Sequence, residues 1–201
     1  MNNEFLPVLE EFYSLQGEGY NTGKAAYFIR IGGCDVGCDF CDSKQSWNIS
    51  HIEPTKIDDI IRRIETLPTK NAVVTGGEPL LYNLDYLTKR LHEKGITVFL
   101  ETSGTSKFSG QWDWICLSAK KNIKPLDENI KLADELKIII CDEDDFAFAE
   151  YYAKKVRMDC LLYLQPEWSV KDKVMNNIVE YIKQNPQWCI SLQSHKYMNI
   201  P

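Results

Sequence analysis

Short apolar segments alternate with amphipathic segments along almost the whole chain. The continuous β-branched, aromatic and leucine segments predict strands at Ala25–Ile31, Ala72–Thr75, Ile96–Glu101, Trp114–Ser118, Leu136–Cys141, Leu161–Gln165 and Trp188–Leu192. Such uniformly apolar strands are typical of parallel sheets that are covered on both faces. The amphipathic segments predict helices at about Thr55–Leu67, Leu84–Lys94, Asp144–Val156 and Asp172–Asn185. This alternation predicts parallel βαβ units and therefore an α/β fold.

The chain length limits how many such units can form. A full eightfold barrel needs about 250 residues, and this chain has 201. We therefore expect a partial, truncated TIM-like barrel of parallel strands with peripheral helices, and an additional strand at Val8–Tyr13. The first helix is expected to begin with a capping box of Thr55 and Asp58, and the second to end at Gly95. Residues 1–201 are expected to form one domain, with the N-terminal segment and the C-terminal tail closing the active site.

Charge and composition exclude several function classes. The formal net charge of −6 argues against nucleic-acid binding, which needs a basic face. The chain has no apolar run long enough to cross a membrane. The first residues, Met1–Glu4, lack the basic and apolar regions of a signal peptide, so a cytoplasmic location is expected.

The cysteine count argues against a disulfide framework. Seven cysteines is an odd number, and four of them stand alone in the sequence. These four are interpreted as small buried hydrophobic residues in a reducing compartment, with a fourth cluster ligand among them as the alternative. They are Cys116, Cys141, Cys160 and Cys189.

The other three cysteines lie within eight residues, with C-x3-C-x2-C spacing and Phe40 before the last. Cys34, Cys38 and Cys41 could hold three irons of a 4Fe–4S cluster, which leaves the fourth iron open to a substrate or cofactor. A zinc knuckle and a disulfide cluster are the alternatives. Structural zinc usually takes four ligands, and the sequence offers no second cysteine pair to supply them.

The cysteine spacing resembles that of the radical S-adenosylmethionine (radical SAM) superfamily. In that superfamily, SAM chelates the open iron, and an electron from the cluster cleaves SAM to a 5′-deoxyadenosyl radical. Thr75–Pro79, with the sequence TGGEP, resembles the superfamily motif whose backbone holds the amino group of SAM. A tight βα turn is the alternative interpretation of the two glycines.

Polar residues also follow other predicted strands. Ser118 and Lys120 could meet the ribose and carboxylate of SAM, or could be a helix cap and a solvated lysine. Gln165–Trp168 could close over the adenosine. The segment Ser14–Gly19 could bind the amide and amidine edge of a pterin or purine, or could be only a turn. Arg30 could pair with a carboxylate of the substrate, or form a structural salt bridge.

Several segments together resemble the 7-carboxy-7-deazaguanine synthase family. They are SLQGEG, Arg30 on the next strand, the cysteine loop, TGGEP, LSAK, Gln165-Pro166 and QSHKY followed by Pro201. This family converts 6-carboxy-5,6,7,8-tetrahydropterin to 7-carboxy-7-deazaguanine and ammonia, on the route to queuosine and related 7-deazapurines.

The resemblance implies a set of site residues. Substrate contacts are expected at Leu15, Gln16, Gly17, Glu18, Arg30, Thr75, His195 and Pro201, the last through a free carboxylate. Cofactor contacts are expected at Phe40, Cys41, Asp42, Gly76, Gly77, Glu78, Ser118, Ala119, Lys120, Gln165, Pro166, Glu167 and Trp168. Mg²⁺ is expected at Ser43, where threonine is common in the family, and proline often replaces Ala119. No side chain is assigned a catalytic role, because radical chemistry belongs to the cofactors.

The resemblance also implies partners: a small-molecule pterin, an electron donor such as a flavodoxin, and a second copy of the chain in a homodimer. Two alternative functions remain. A small glycyl-radical-enzyme activating enzyme would act on a protein, and a non-catalytic iron–sulfur protein would serve as a redox carrier or sensor. The activating enzyme should lack SLQGEG and the tail that ends at Pro201. The redox carrier or sensor would not explain TGGEP, the polar residues at the strand ends or the alternation of strands and helices.

Overall fold

An eight-stranded sheet forms the centre of the structure, a computed structural model that describes residues 4–201. The strands are β1 Phe5–Leu6, β2 Val8–Leu15, β3 Ala25–Ile31, β4 Thr55–Lys56, β5 Asn71–Gly76, β6 Thr97–Thr102, β7 Trp114–Leu117, β8 Glu135–Ile140, β9 Leu161–Pro166 and β10 Trp188–Ile190. The helices are α1 Ile57–Glu65, α2 Asp85–Glu93, α3 Asp127–Ile130, α4 Asp144–Ala153, α5 Lys171–Gln184 and α6 Ser194–Met198.

The order of strands across the sheet is β10-β9-β8-β7-β6-β5-β3-β2. The β2–β3 pair is antiparallel, and the other neighbours are parallel. Within residues 4–201, β2 and β10 lie at opposite edges of the sheet, so the barrel is open. The predicted α/β fold with a partial barrel of parallel strands is confirmed. Because the parallel strands share a direction, their carboxyl ends meet along one edge.

The two faces of the sheet bury different sets of side chains, because successive strand residues point to opposite faces. On the outer face, strand residues such as Ile29, Val74 and Leu100 pack with α1 and α2 in one apolar cluster. Further along that face, Leu136 and Ile138 pack with α4 and α5 in a second cluster. The inner cluster consists of Ala26, Phe28, Val73 and Phe99. Burial on both faces explains the continuous apolar runs in the sequence.

The first helix is amphipathic as predicted, but it begins later than predicted and without a capping box. Its four isoleucines, at positions 57, 60, 61 and 64, are buried, which is the pattern of a helix with one face on the core. The residue before the helix is Lys56, and no side chain caps its first N–H groups. Thr55 instead lies in β4, where it pairs with Leu6, and Asp58 accepts hydrogen bonds from Tyr86 and Arg90.

Gly95 ends α2 as predicted. Its φ of +66° lies in the left-handed region that glycine adopts without strain. Its N–H donates to the carbonyl of His92 at 2.9 Å, which satisfies a carbonyl at the helix end.

The solitary cysteines only partly follow the sequence interpretation. Cys116 and Cys160 are buried, as expected, but Cys141 is half-buried and Cys189 is exposed. Cys189 lies on β10 at the edge of the sheet, where no further strand covers it. All seven cysteines are free thiols. Among the helices formed by residues 4–201, none has the length and apolar character needed to cross a membrane.

Candidate active site

Polar side chains lie on the inner face of the sheet, close to the carboxyl ends of its strands. Two residues beyond the inner cluster, β3, β5 and β6 carry Arg30, Thr75 and Glu101. On the same face, β8 and β9 carry Lys137 and Gln165. All five line one cavity of about 300 Å³, a volume at the small end of the range for ligand pockets.

The cysteine loop follows β3 and forms one wall of this cavity. Cys34, Cys38 and Cys41 all line it. A backbone hydrogen bond of 3.1 Å from Cys41 to Cys38 tightens the loop, and Asn122 donates to the carbonyl of Gly37 at 2.9 Å. These contacts attach the loop to the segment that follows β7.

The Gly76–Gly77 turn packs directly against the cysteine loop. Gly77 donates to the carbonyl of Ile31 at 2.9 Å, and Glu78 donates to that of Gly33 at 2.8 Å. A Cβ atom at position 77 would lie 2.1 Å from the oxygen of Gly33 and 2.9 Å from the Cβ of Cys34. Glycine is therefore required at 77 for the two loops to approach this closely.

Glu78 does not reach the cavity. Its side chain is fully buried, and its carboxylate accepts hydrogen bonds from Thr102 Oγ1 at 2.6 Å and from the backbone of Leu80 and Ser103 at 3.0 and 2.8 Å. The hydroxyl of Ser103 is a further donor. The protein donors around this carboxylate show that Glu78 stabilises the turn, and its expected contact with the cofactor stays a prediction.

Ala119 is the other predicted cofactor residue that does not line the cavity. It is buried in the apolar cluster beneath α4 and α5. All the other predicted site residues do line the cavity. They are Leu15, Gln16, Gly17, Glu18, Arg30, Cys34, Cys38, Phe40, Cys41, Asp42, Ser43, Thr75, Gly76, Gly77, Ser118, Lys120, Gln165, Pro166, Glu167, Trp168, His195 and Pro201.

Arg30 forms the structural salt bridge that was one of its two predicted roles, and it also lines the cavity. Its Nε forms a 2.5 Å salt bridge with Glu10. Its Nη1 donates to the hydroxyl of Ser43 at 3.2 Å, and Ser43 in turn donates to Asp42 at 3.3 Å. The guanidinium is thus fixed at the cavity wall, with a carboxylate on one side and hydroxyl and carboxylate oxygens on the other.

A buried lysine links two acidic residues of the cavity. Lys137 Nζ lies 2.6 Å from Glu18 and 2.9 Å from Glu101. Gln16 Nε2 donates to Glu101 at 3.1 Å, and Gln193 Nε2 donates to Glu18 at 2.9 Å. Burial alone would raise the pKa of Glu18, but the charge and hydrogen bond of Lys137 outweigh it and lower that pKa to about 2.

The segment at residues 193–201 covers one side of the cavity. Ser194 donates twice to the carbonyl of Gly17, from its backbone N–H and its hydroxyl, both at 2.9 Å. The rings of Tyr197 and Trp168 meet edge to face at 5.2 Å. A Cβ atom at Gly17 would lie 2.2 Å from the imidazole of His195, so this contact also needs a glycine.

Sequence reasoning missed several residues of the cavity. Lys137 is the most important, and its signal was a single lysine within the apolar strand ELKIII. An unpaired lysine is rarely buried in a sheet, so that position already called for acidic partners. The other missed residues include Glu101, Ser103, Gln193 and Lys196.

The donor set fits the cofactors that the sequence predicts. Three thiols on one loop leave one iron open, and Ser43 and Asp42 offer the oxygen ligands that Mg²⁺ prefers. Gly77 leaves backbone exposed to the cavity beside the thiols. Across residues 4–201, no three His, Cys, Asp or Glu side chains are already spaced around one point as metal ligands. The three thiols nevertheless line the same cavity.

Comparisons with known proteins agree with this geometry. The Radical SAM superfamily model matches residues 28–139. The 7-carboxy-7-deazaguanine synthase of Flavobacterium psychrophilum is 54% identical over 198 residues, which cover 98% of this chain and 94% of that protein. The enzyme of the same name from Synechocystis is 42% identical, over 96% of this chain and 93% of that protein.

A solved structure shows the same fold. The crystal structure of QueE from Escherichia coli superposes with a TM-score of 0.85 at 29% identity and covers 95% of each chain. Sequence and structure thus match the same enzyme over nearly the whole chain. The chain belongs to the 7-carboxy-7-deazaguanine synthase family within the Radical SAM superfamily.

Proposed function

We propose that this cavity converts 6-carboxy-5,6,7,8-tetrahydropterin to 7-carboxy-7-deazaguanine and ammonia. The observation that carries the proposal is the meeting, in one cavity, of the cysteine loop, the Gly76–Gly77 turn and the acidic pair of Glu18 and Glu101. The family membership supports the same reaction. Atoms balance without an external oxidant, since the product and ammonia together have the composition of the substrate.

The protein's share of the reaction is to bind and to position. A 4Fe–4S cluster held by Cys34, Cys38 and Cys41, together with SAM beside Gln165–Trp168, supplies hydrogen-atom transfer at a substrate carbon. The side chains around the cavity determine which carbon faces that chemistry. A misplacement of about 1 Å can reduce a rate about 100-fold, so positioning residues matter as much as the cofactors.

Two groups of side chains suit the two ends of a carboxylated pterin. Arg30 offers N–H donors to the substrate carboxylate. Glu18 and Glu101 offer acceptors to the N–H groups of the pterin edge, and Gln16 holds Glu101 through a hydrogen bond from its Nε2. Leu15, Gly17 and Thr75 complete the wall around these groups.

Mg²⁺ at Ser43 would add a cation beside Arg30. The Ser43 hydroxyl now accepts a hydrogen bond from Arg30 at 3.2 Å, so a bound cation would replace or weaken that bond. Two adjacent cations repel each other unless an anion lies between them. A substrate carboxylate would fill that place, which favours joint binding of Mg²⁺ and substrate.

Residues 193–201 would limit access of water to the cavity. Their contacts with Gly17 and Trp168 place His195 and Pro201 on the cavity wall. We propose that they act with the segment Ser14–Gly19 to close the site, within one domain that spans residues 1–201. Reactive intermediates survive only where water and other quenching groups are excluded.

The resemblance to the family supports a homodimer and an electron donor such as a flavodoxin. Seven free thiols, three of them needed as cluster ligands, support a reducing compartment such as the cytoplasm. Light scattering of the reconstituted protein measures the mass of the assembly. Reduction of the cluster by purified flavodoxin tests whether a flavodoxin can act as the electron donor.

The test is turnover of anaerobically reconstituted protein with SAM, a reductant, Mg²⁺ and the carboxylated pterin. We expect equimolar deazaguanine and ammonia by mass spectrometry and ammonia assay. Cys38→Ala should abolish the product, while Cys189→Ala, at an exposed edge position, should retain it.

Other results would identify other functions. SAM cleavage without conversion of the pterin would indicate a radical SAM enzyme with another substrate, such as an activating enzyme. An intact cluster that never cleaves SAM would indicate a redox carrier or sensor. Mg²⁺ should stimulate turnover, and Ser43→Ala should blunt that response.

A further inference from the structure

Lys137 is a buried cation that no cofactor role explains. Its side chain is 4% exposed, and its ammonium contacts Glu18 and Glu101 at 2.6 and 2.9 Å. A charge in such a position is costly unless it is paired. The pairing here joins three segments that are far apart in sequence: the loop after β2, the end of β6 and the middle of β8.

The charges around this lysine come from every neighbouring element. The other titratable groups that face Lys137, Glu18 and Glu101 are Cys116 on β7, Lys120 after β7, Glu135 on β8 and His195 on α6. Glu135 accepts hydrogen bonds from Tyr20 and Trp114 and is therefore occupied elsewhere. Only Glu18 and Glu101 form ion pairs with Lys137 among the described residues.

We propose that Lys137 is a positioning residue whose ammonium holds Glu18 and Glu101 together as a pair of carboxylate acceptors for the N–H donors of the substrate. This inference rests on the proposed function for the identity of the substrate. The triad carries one net negative charge, from two carboxylates and one ammonium. That charge suits an edge rich in N–H donors and disfavours the substrate carboxylate, which Arg30 attracts at a separate contact.

The physical need for the lysine follows from the closeness of the acids. Two carboxylates that share a low-dielectric site cannot both ionise without a cation, and the pair would keep one proton. A protonated carboxyl group loses acceptor capacity and gains a donor that would oppose the substrate N–H. Lys137 removes that conflict.

Lys137 does not itself suit proton transfer. Burial alone would lower its pKa, but the neighbouring Cys116 and the carboxylates of Glu101 and Glu18 outweigh this and raise the pKa well above its usual value. The ammonium therefore stays protonated near neutral pH. It acts through its two partners, as a fixed charge.

The experiment compares Lys137→Met, which removes the charge, with Lys137→Arg, which keeps it. The dissociation constant of the pterin is measured for the reconstituted full chain, without SAM or reductant, from pH 5 to pH 9. We expect Lys137→Met to weaken binding about 30-fold or more at pH 7. On the acid side of the binding profile, the pH at which half of the affinity is lost should increase by about one unit or more, because an unpaired buried carboxyl group protonates at higher pH.

Lys137→Arg should restore most of the affinity and leave the acid side of the profile in place. The matched control is Lys94→Met, which removes a lysine from a surface pair with Glu65 at 2.7 Å and should bind as the unchanged chain does. If Lys137→Met weakens binding equally at every pH and Arg does not restore it, Lys137 has a structural role only and the inference is wrong.

A double variant covers the case in which Lys137→Met does not fold. Glu18→Gln with Lys137→Met leaves the net charge of the triad unchanged. If Lys137 acts through the carboxylates, this double variant should bind within about threefold of Glu18→Gln alone, since residues in one network are not additive. If the losses of binding free energy caused by the two substitutions simply add in the double variant, the inference is wrong.

A substrate-free readout separates this inference from the proposed function. Infrared titration of the full chain follows the carboxylic acid bands that Glu18→Gln and Glu101→Gln remove. We expect both groups to be ionised at pH 7 in the unchanged chain and one to be protonated in Lys137→Met. If the unchanged chain does not bind the pterin, the proposed function fails. If both carboxylates stay ionised without the lysine, the inference fails.

Discussion

At position 77 the backbone has no space for a side chain. The nearest atom to a Cβ there would be the oxygen of Gly33, at 2.1 Å, and that oxygen belongs to the cysteine loop. Neither of the two backbones can move away without breaking the hydrogen bonds that join them. The position of the cysteine loop therefore depends on a glycine that lies far from the cysteines in the chain, as well as on the spacing of the cysteines themselves.

Gly77→Ala should lower iron content after anaerobic reconstitution to well below that of the unchanged chain. The added methyl group displaces the cysteine loop, while the strands beneath stay folded. The measurements are iron analysis and circular dichroism. Gly37→Ala is the control in the same loop: a Cβ there meets nothing within 4 Å, although its φ of +65° costs about 1 kcal/mol. Equal iron content in the two variants would contradict the steric argument.

Glu78→Gln should destabilise the fold more than it affects the contacts of the cavity. The carboxylate accepts four hydrogen bonds from Leu80, Thr102 and Ser103, and an amide would turn one N–H₂ group toward donors. We expect a loss of about 1–3 kcal/mol of unfolding free energy. Denaturant unfolding of the cluster-free protein measures it. Unchanged stability together with lost SAM binding would instead place Glu78 in contact with the cofactor.

The contrast between Glu78 and Lys137 shows the limit of sequence reasoning at this scale. A motif fixes which residue follows which, but the direction of a side chain depends on backbone angles that the motif does not contain. The side chain of Glu78 packs among protein donors within the turn, a direction that the motif alone does not give. In the sequence, Lys137 is noticeable only as a charged residue within an apolar strand. Its two acidic partners lie on elements that are distant in the chain, so the sequence alone does not show that they meet.

Helix α6 lies at the surface of the structure, over the cavity. It contains five residues, none of them buried, and it contacts the cavity through His195 and the carbonyl of Gly17. Partial burial lowers the pKa of His195 below its usual value of 6.5. The packed helix therefore prefers the neutral imidazole.

Packing of α6 should weaken as the pH falls. The stabilisation is complete above the unfolded pKa near 6.5 and is lost as the pH falls through the lower folded value. Hydrogen-exchange protection of residues 194–198, corrected for intrinsic rates, should thus be greater at pH 7.5 than at pH 5. His195→Gln should remove this pH dependence, and His51→Gln should not. Hydrogen-exchange protection that is greater at pH 5 than at pH 7.5 would contradict the prediction that α6 packs better with a neutral His195.

The sequence predicts best those elements in which the positions of the apolar residues correspond directly to the buried faces. Strands β3 and β6 were recognised because apolar residues occupy both faces, and α1 because its isoleucines recur at helical spacing. The start of α1 was wrong because Thr55 pairs with Leu6 from a distant segment. Helix α6 was missed as a helix because its residues pack on a loop and leave no apolar periodicity.

At the scale of the whole molecule, the site is assembled from both edges of the sheet. The loop at residues 16–19 follows β2 at one edge, and residues 193–201 follow β10 at the other. They meet over the cavity through Ser194 and Gly17. The sheet supplies the floor of the cavity, and we propose that these two segments act as its cover.

A variant that ends at Leu192 should keep the fold and lose the substrate. The removed residues contact the loop at 16–19, Asp42 and Trp168, and they contribute nothing to the two large apolar clusters. We expect thermal unfolding within a few degrees of the full chain and pterin affinity at least about tenfold weaker. Calorimetry measures both. A large fall in thermal stability would show that the segment is part of the core.

The contact between Gly17 and Ser194 joins residues 177 positions apart, whereas almost every strand pairs with its neighbour in chain order. During folding, most strands can therefore pair by closing short loops. The contact between the two covering segments closes the longest loop and has the largest entropic cost. The same order applies in reverse, so detachment of the cover is a local opening that leaves the sheet intact. Exchange of a bound group with the surroundings then follows the frequency of that opening and does not require global unfolding.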